Sequence, residues 1–354
     1  IHQHSLVCYL CWGCNMVSKR CGGHITLLFS ICKDSKLPRN QGSRGAGFNV
    51  TDGVEATARH LWTNKPASAI RYSAGSTLDD KIGNIKQGDI RINVTSMDGT
   101  ELQNGTAIYL ELIEGLRYAR LLNRADAYEI NVQLELPTSQ GFGMSAAGLV
   151  AVALAFHQLT EKGNIEQYYR LAHRIERIHS GGLGDVLGIY AGGVELRLTA
   201  GAPVSPGRAV GFPCNQKILL AWIPQESRHT SEYIDDPIWQ QTITSAGEEA
   251  VNLLQQGDWN HDKWPQLLQC SEEFSTASGM LDEPVRNTFL NNIQQEITRL
   301  GFDAIMSTRL CMLGVSLCVL PKELSKPLAI EQLEQLAQRL RERGMGVKIT
   351  SIDS

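Results

Sequence analysis

Alternation of apolar and polar side chains is sharpest over residues 128–136. Ile130, Val132, Leu134 and Leu136 fall on one side of polar neighbours, the period-two pattern of a half-buried strand. Upstream, the chain from Met16 reads as strand, turn, strand, with residues 25–31 apolar and β-prone. A polar loop is expected over residues 32–44, followed by the glycine cluster Gly42-Ser43-Arg44-Gly45-Ala46-Gly47. Residues 90–94 read as a further strand, and residues 106–122 as a helix with an apolar stripe. Pro137 closes the alternating strand. A loop leads from it into a long helical segment from Ser145 to about Leu159, then into a second helix over about 166–178. Gly192-Gly193 opens a strand over 194–198, and Pro203, Pro206 and Gly207 mark a lobe boundary. Beyond it, strands expected at 217–223, 312–320 and 347–351 alternate with amphipathic helices at about 237–256, 284–300 and 330–343. The pattern predicts an α+β chain rather than a regular βαβ repeat. The expected organisation is an N-terminal lobe over 16–205 and a C-terminal lobe over 206–354. Residues 1–15, which precede the first methionine, are expected to be a non-native or disordered extension.

Composition narrows the functions available. The 354 residues include 42% hydrophobic and 20% charged side chains, with a formal net charge of -4, enough apolar material for a sizeable core. No basic excess exists to displace phosphate counterions, which argues against nucleic acid as the partner. No apolar run is long enough to span a bilayer. Cys8, Cys11 and Cys14, with Cys21 and His24 nearby, are spaced like an iron–sulfur run but lack its fourth cysteine and proline. Cys32, Cys214, Cys270, Cys311 and Cys318 sit among apolar residues and read as small buried hydrophobes, the usage expected in a reducing cytoplasm.

The 33 glycines cluster, and the most informative cluster lies between Pro137 and Gly148. Gly141 and Gly143 flank Phe142, and Ser145-Ala146-Ala147-Gly148 opens the helix. First-turn amides of a helix lack intrahelical acceptors, and glycines let a backbone wrap an anion closely, so this segment can cradle phosphate. It lacks the Gly-Lys-Ser/Thr of a Walker loop and the glycine spacing of a dinucleotide fingerprint. The same residues would equally serve a plain strand–turn–helix connection. On the second helix, His173 and Glu176 are three apart and share a face, and Asp185 follows a glycine-rich turn. Two carboxylates and a serine could hold Mg²⁺ through oxygen ligands, and Asp185 could take a proton from an attacking hydroxyl. Taken singly, Glu176 reads as a solvated helix residue and His173 as a surface or core histidine.

The stretch Pro137-Thr-Ser-Gln-Gly-Phe-Gly-Met-Ser-Ala-Ala147 resembles the second signature motif of the GHMP kinases. Four further segments resemble the archaeal pantoate kinase family within that group: Gly23-His24-Ile25-Thr26, the 42–47 cluster, Gly182-Leu183-Gly184-Asp185-Val186 and Gly192-Gly193-Val194-Glu195-Leu196-Arg197. The resemblance runs over most of the chain from Met16 and weakens after about residue 210. It implies the GHMP fold, an S5-like phosphate-binding lobe followed by a ferredoxin-like lobe. It also implies ATP contacts at Pro137, Ser139, Gly141, Phe142, Gly143, Met144, Ser145, Ala146 and Ala147. Mg²⁺ falls to Ser145 and Glu176, and the position beside the acceptor hydroxyl to Asp185. Acceptor contacts fall to Ser43, Arg44, His173, Arg197 and Thr230. The implied reaction is phosphorylation of pantoate to 4-phosphopantoate in archaeal coenzyme A synthesis, by a cytoplasmic homodimer without membrane or nucleic-acid partners. Another small hydroxylated acceptor, homoserine- or mevalonate-like, and a ligand sensor without catalysis are the alternatives.

The chain departs from the family at several points. Gly22-Gly23 replaces proline-glycine, and Leu27-Leu28-Phe29 replaces a glycine and an aromatic residue. Phe142 and Met144 stand where leucine and a hydroxyl residue are usual. The third signature survives only as residues 307–319, with bulky Arg309 and Leu310.

Overall fold

The computed structural model describes residues 16–62, 86–179, 181–226 and 231–353. The cysteines at 8, 11 and 14 and Thr230 lie outside them. Strands β1 (Met16–Cys32) and β2 (Gly42–Trp62) form one long antiparallel hairpin, joined through a short 3-10 turn at Pro38–Asn40. The glycine cluster at 42–47 lies inside β2, not in a loop of its own. A Cβ at Gly47 would overlap the Ile25 carbonyl of β1, so glycine here permits close strand approach rather than a turn. The pairing slips twice on β1, between Gly22 and His24 and between Thr26 and Leu28. Such irregularities re-aim side chains, and they bracket His24 and Thr26, both of which reach the site described below.

Strand β3 (Ile90–Thr95), helix α1 (Ala107–Tyr118) and β4 (Ala127–Leu134) follow. β3 and β4 are parallel, and the alternation read in the sequence is the burial alternation of β4. Helices α2 (Met144–Thr160), α3 (Ile165–Ile178) and α4 (Asp185–Ala191) precede β5 (Val194–Thr199) and β6 (Arg208–Phe212). The first sheet runs β3-β4-β2-β5-β6, with β1 also paired to β2. α2 is apolar almost all round and lies buried against β1 and β2. α3 is amphipathic and starts from a capping box made by Asn164 and Gln167. β6 lies beyond the expected lobe boundary yet pairs with β5.

The second sheet comprises β7 (Lys217–Trp222), β8 (Met306–Cys311), β9 (Ser316–Pro321) and β10 (Gly346–Ser351), ordered β10-β7-β9-β8 and antiparallel throughout. Between β7 and β8 lie α5 (Ser231–Ile234), α6 (Pro237–Leu254), α7 (Trp264–Ala277) and α8 (Pro284–Arg299). Helix α9 (Ile330–Glu342) connects β9 to β10. This is the split-βαβ arrangement of ferredoxin-like domains. Both faces of β7 are covered: Ile218, Leu220 and Trp222 join the large core, and Leu219 and Ala221 pack with α8 and α9. That is why residues 218–222 read as an unbroken apolar run.

The single strand expected at 312–320 is a hairpin. Residues 306–321 form β8 and β9 around a turn at 312–315, where Leu313 takes a positive φ of 72°. The apolar residues continue through the turn because it is itself buried, so nothing polar marks it in the sequence. No helix among the described residues is long and apolar enough to cross a membrane.

Candidate active site

A cavity of about 420 Å³ opens where the loop after β4, the loop before α4, the β1–β2 hairpin and the β8–β9 turn converge. Three residues of the first loop have positive φ: Ser139 at 59°, Gly141 at 74° and Gly143 at 66°. Glycine is required at the last two for space as well. A Cβ on Gly141 would lie 2.6 Å from the Met312 carbonyl oxygen, and one on Gly143 2.9 Å from both the amide nitrogen and the carbonyl oxygen of His24. The loop is held from behind by the β8–β9 hairpin, where Ser316 Oγ donates to the Gln140 carbonyl, and the turn is itself tied to β1 by Met312 N donating to the Thr26 carbonyl at 3.1 Å. The third signature segment thus meets the 137–143 glycine loop despite its bulky residues. Arg309 turns away to Glu272 and the Leu268 carbonyl.

At the end of this loop α2 begins with Gly143 at its N-cap. No side chain caps it and no acidic residue stands in its first turn. Its first amides have no intrahelical acceptor and the helix dipole adds positive potential, so the Gly141–Ser145 edge of the cavity suits an anion. Pro137, Ser139, Gly141, Phe142, Gly143, Met144 and Ser145 line the cavity, whereas Ala146 and Ala147 lie buried behind it.

Glu176 enters from α3. It is 1% exposed, and its carboxylate has no side-chain partner, only the nearby backbone amides of Gly182 and Val186. Burial, then repulsion from Asp185, holds its pKa well above the usual carboxylate range. A buried acid facing a second carboxylate is costly without a compensating charge, and the oxygen donors Glu176 and Ser145 fit a hard divalent ion. Gly182 lies over both acids; a Cβ there would come within 2.7 Å of Glu176 Oε1. The glycine turn is fixed by Arg177, whose Nη1 donates to the Gly181 and Gly182 carbonyls at 3.2 and 3.1 Å.

Asp185 is the first residue of α4 and lines the cavity. Its Oδ1 lies 2.6 Å from His24 Nδ1, and the other ring nitrogen, Nε2, lies 3.0 Å from Glu195 Oε1 on β5. Burial would raise the Asp185 pKa, but the hydrogen bond from His24 and the positive charges of His24 and Arg197 outweigh it and keep the carboxyl below its ordinary value. Burial likewise pulls His24 down, and its bonds to the two carboxylates more than reverse this. Arg197 is fully buried beneath Gly184. Its Nη1 reaches Thr26 Oγ1 at 3.4 Å, while Nε and Nη2 are unpartnered. Ser43 and Thr26 line the cavity above it.

Ser145, Glu176, Asp185 and Ser43 therefore meet in one cavity, with Arg197 directly behind. Arg44 and His173 do not line it. Arg44 pairs with Glu248 of α6 and donates to the Leu198 carbonyl at 3.0 Å, tying the hairpin to α6. His173 is wholly buried, and its Nε2–H donates to the Pro38 and Gln41 carbonyls at 3.3 and 3.1 Å, which holds the β1–β2 crossover. His24, Thr26 and Glu195 received no role from the sequence. The available signal was a histidine at the head of an apolar β-prone run, where an uncompensated polar ring would be costly.

Burial pushes the His173 pKa down to about 4 from 6.5. A depressed histidine stabilises the fold fully above its unfolded pKa and loses that contribution as pH falls toward the folded value. The shift corresponds to about 3 kcal/mol. Chemical denaturation at pH 7.5 and 4.5 should lose about that much in the wild-type protein and clearly less in His173→Gln, whose amide can still donate to the two carbonyls. Parallel losses in both proteins would exclude His173 as the source.

Residues 109–193 match the family model for the GHMP kinase N-terminal domain. The pantoate kinase of Methanocaldococcus jannaschii is 27% identical over 264 residues, which cover 74% of this chain and 81% of that protein. A solved phosphotransferase related to the CoA biosynthesis pathway superposes with a TM-score of 0.68 at 24% identity, covering 96% of both chains. A homoserine kinase from Cytophaga hutchinsonii superposes at 0.62 with 15% identity, over 100% of this chain and 98% of that one. With the glycine loop, the ferredoxin-like second sheet and these similarities together, the chain has the GHMP kinase fold and matches that family's N-terminal domain over residues 109–193.

Proposed function

We propose that this kinase transfers the terminal phosphoryl group of ATP to the primary hydroxyl of pantoate, giving ADP and 4-phosphopantoate. The observation that carries the reading is Asp185, held as a carboxylate in the cavity with the Gly141–Ser145 anion cradle on one side and Ser43 and Arg197 on the other. Val94, Leu102, Ile108, Tyr109 and Leu134 give the far end an apolar lining suited to a nucleobase. The phosphates then lie along the loop and the α2 amides. Mg²⁺ held by Ser145 and Glu176 would neutralise charge on the transferring group. Arg197, the buried cation next to Ser43, provides the counter-charge for the acceptor carboxylate. The acceptor oxygen bonds to the terminal phosphorus, the bond from that phosphorus to the bridging oxygen breaks, and the hydroxyl proton passes to Asp185.

Coupled ADP release with Mg-ATP should be measured across pantoate, pantothenate, homoserine, mevalonate and a sugar. Turnover with pantoate should exceed that with every other acceptor by at least about 10²-fold, the discrimination expected when a site's polar groups are left unpaired by the wrong ligand. Faster turnover with another acceptor would discard pantoate and the acceptor roles of Ser43 and Arg197 while keeping the phosphate loop. ATP binding without any turnover would discard the kinase step and leave a ligand sensor.

A further inference from the structure

The mechanism above uses Asp185 but not the two buried groups lined up behind it. Glu195 is fully buried on β5 and does not line the cavity. Its Oε1 meets His24 Nε2 at 3.0 Å, and the opposite edge of the same ring meets Asp185 Oδ1 at 2.6 Å. Ionised carboxylate oxygens only accept hydrogen bonds, so both ring nitrogens must carry protons for both contacts to hold. A neutral imidazole has one N–H and can satisfy one carboxylate only. We propose that Glu195 is a positioning residue for phosphoryl transfer: it holds His24 as a doubly bonded imidazolium, and through that ring it fixes the orientation and negative charge of Asp185.

Three features show that the fold makes room for this chain of contacts. β1 slips register immediately before His24. Gly143 accommodates the His24 backbone, as described above. On α4, three residues after Asp185, Gly188 lies against the ring so closely that a Cβ would overlap Nε2. The charged groups around the ring are Asp185 from α4, Glu195 and Arg197 from β5 and, beyond Asp185, Glu176 from α3. The polar neighbour on β2 is the neutral Asn49, which donates to the Gly188 carbonyl at 3.0 Å. Arg197 Nη1 stands 3.7 Å from Glu195 Oε1. His24 and Arg197 thus balance Asp185 and Glu195, two cations for two anions, with every side chain but that of Asp185 fully buried. Removing the Glu195 charge leaves the ring with one anionic partner and weakens its hold on the second proton.

The proposal rests on Asp185 being the hydroxyl-proton acceptor, and its test has one arm that does not. In that arm, the ¹⁵N shifts of the His24 ring are recorded at pH 7 in the wild-type protein without substrate. Both nitrogens should show the imidazolium signature, whereas a neutral ring would overturn the proposal whatever the reaction is. The second arm uses Glu195→Gln with whichever acceptor turns over. kcat should fall at least tenfold with KM for ATP and acceptor within about threefold, and the alkaline limb of kcat should move to lower pH because His24 gives up its proton sooner. In a His24→Gln background, Glu195→Gln should cost little more, since its effect travels through the ring. Unchanged kcat, a KM-only effect or additive losses would each overturn the positioning role. If Glu195→Gln proves too unstable to assay, the wild-type ring spectrum alone decides. A charged ring together with an active Asp185→Asn enzyme would instead locate the failure in the base assignment.

Discussion

Asp185→Asn lowers kcat by about 10³-fold while leaving ATP affinity within about twofold, inside the range of loss typical of a removed general base. Asparagine preserves the shape of the side chain. Its amide oxygen can still accept from His24 Nδ1, so the 2.6 Å contact that orients the group survives the change. What is lost is a negative charge that the site goes to some length to keep. Burial raises the pKa of this carboxyl, and the hydrogen bond from His24 with the positive charges of His24 and Arg197 more than reverses it. In the proposed site the nucleotide phosphates lie along the Gly141–Ser145 segment, a different element, so nucleotide affinity is expected to survive loss of this charge. Single-turnover measurement of phosphoryl transfer alongside calorimetric ATP titration separates the two effects. A rate within tenfold of wild type would remove Asp185 from proton transfer, and a matching collapse of ATP affinity would make it part of the nucleotide site instead.

What could be read in the sequence, and what could not, follows from how far apart the cooperating residues are. β4 was legible because one face is buried and its alternation is local. The 137–143 turn into α2 was legible because its glycine spacing and the small-residue start of the helix are contiguous, and Glu176 and Asp185, which share its cavity, follow closely enough to be read with it. The glycines at 42–47 were legible as glycines but not as strand: the group they avoid is the Ile25 carbonyl on another strand, which only the hairpin register supplies. The β8–β9 turn stayed hidden because it is buried and carries no polar punctuation. The His24–Glu195 contact was invisible for a stronger reason. It spans 171 positions and depends on β1 and β5 both pairing with β2. Arg44 and His173 have side chains suited to an anionic acceptor, but Glu248 on α6 and the carbonyls of the β1–β2 crossover occupy them. Nothing in the local sequence around either residue carries that information.

Gly143→Ala tests the other half of the site, and Gly257→Ala is its control. Both glycines have positive φ, 66° and 79°, so alanine at either position bears a similar left-handed backbone cost of about 1 kcal/mol. At Gly257, after α6, nothing lies within 4 Å of the added methyl group, and the effect should end with that small loss of stability. At Gly143 the methyl would sit 2.9 Å from both the amide nitrogen and the carbonyl oxygen of His24, atoms of a strand that cannot swing aside as a long side chain can. The loop must move instead, and it carries the start of α2 with its phosphate-facing amides. A displacement of about 1 Å in such a site costs on the order of 10² in rate. kcat/KM for ATP should therefore fall about 10²-fold in Gly143→Ala and stay within twofold of wild type in Gly257→Ala, with a small drop in melting temperature at Gly257 and a larger one at Gly143. Equal activity in the two variants would mean that the Gly141–Ser145 turn does not hold the phosphates, whatever the family resemblance. A large loss in Gly143→Ala accompanied by global unfolding would trace the effect to the β1 contact rather than to the nucleotide.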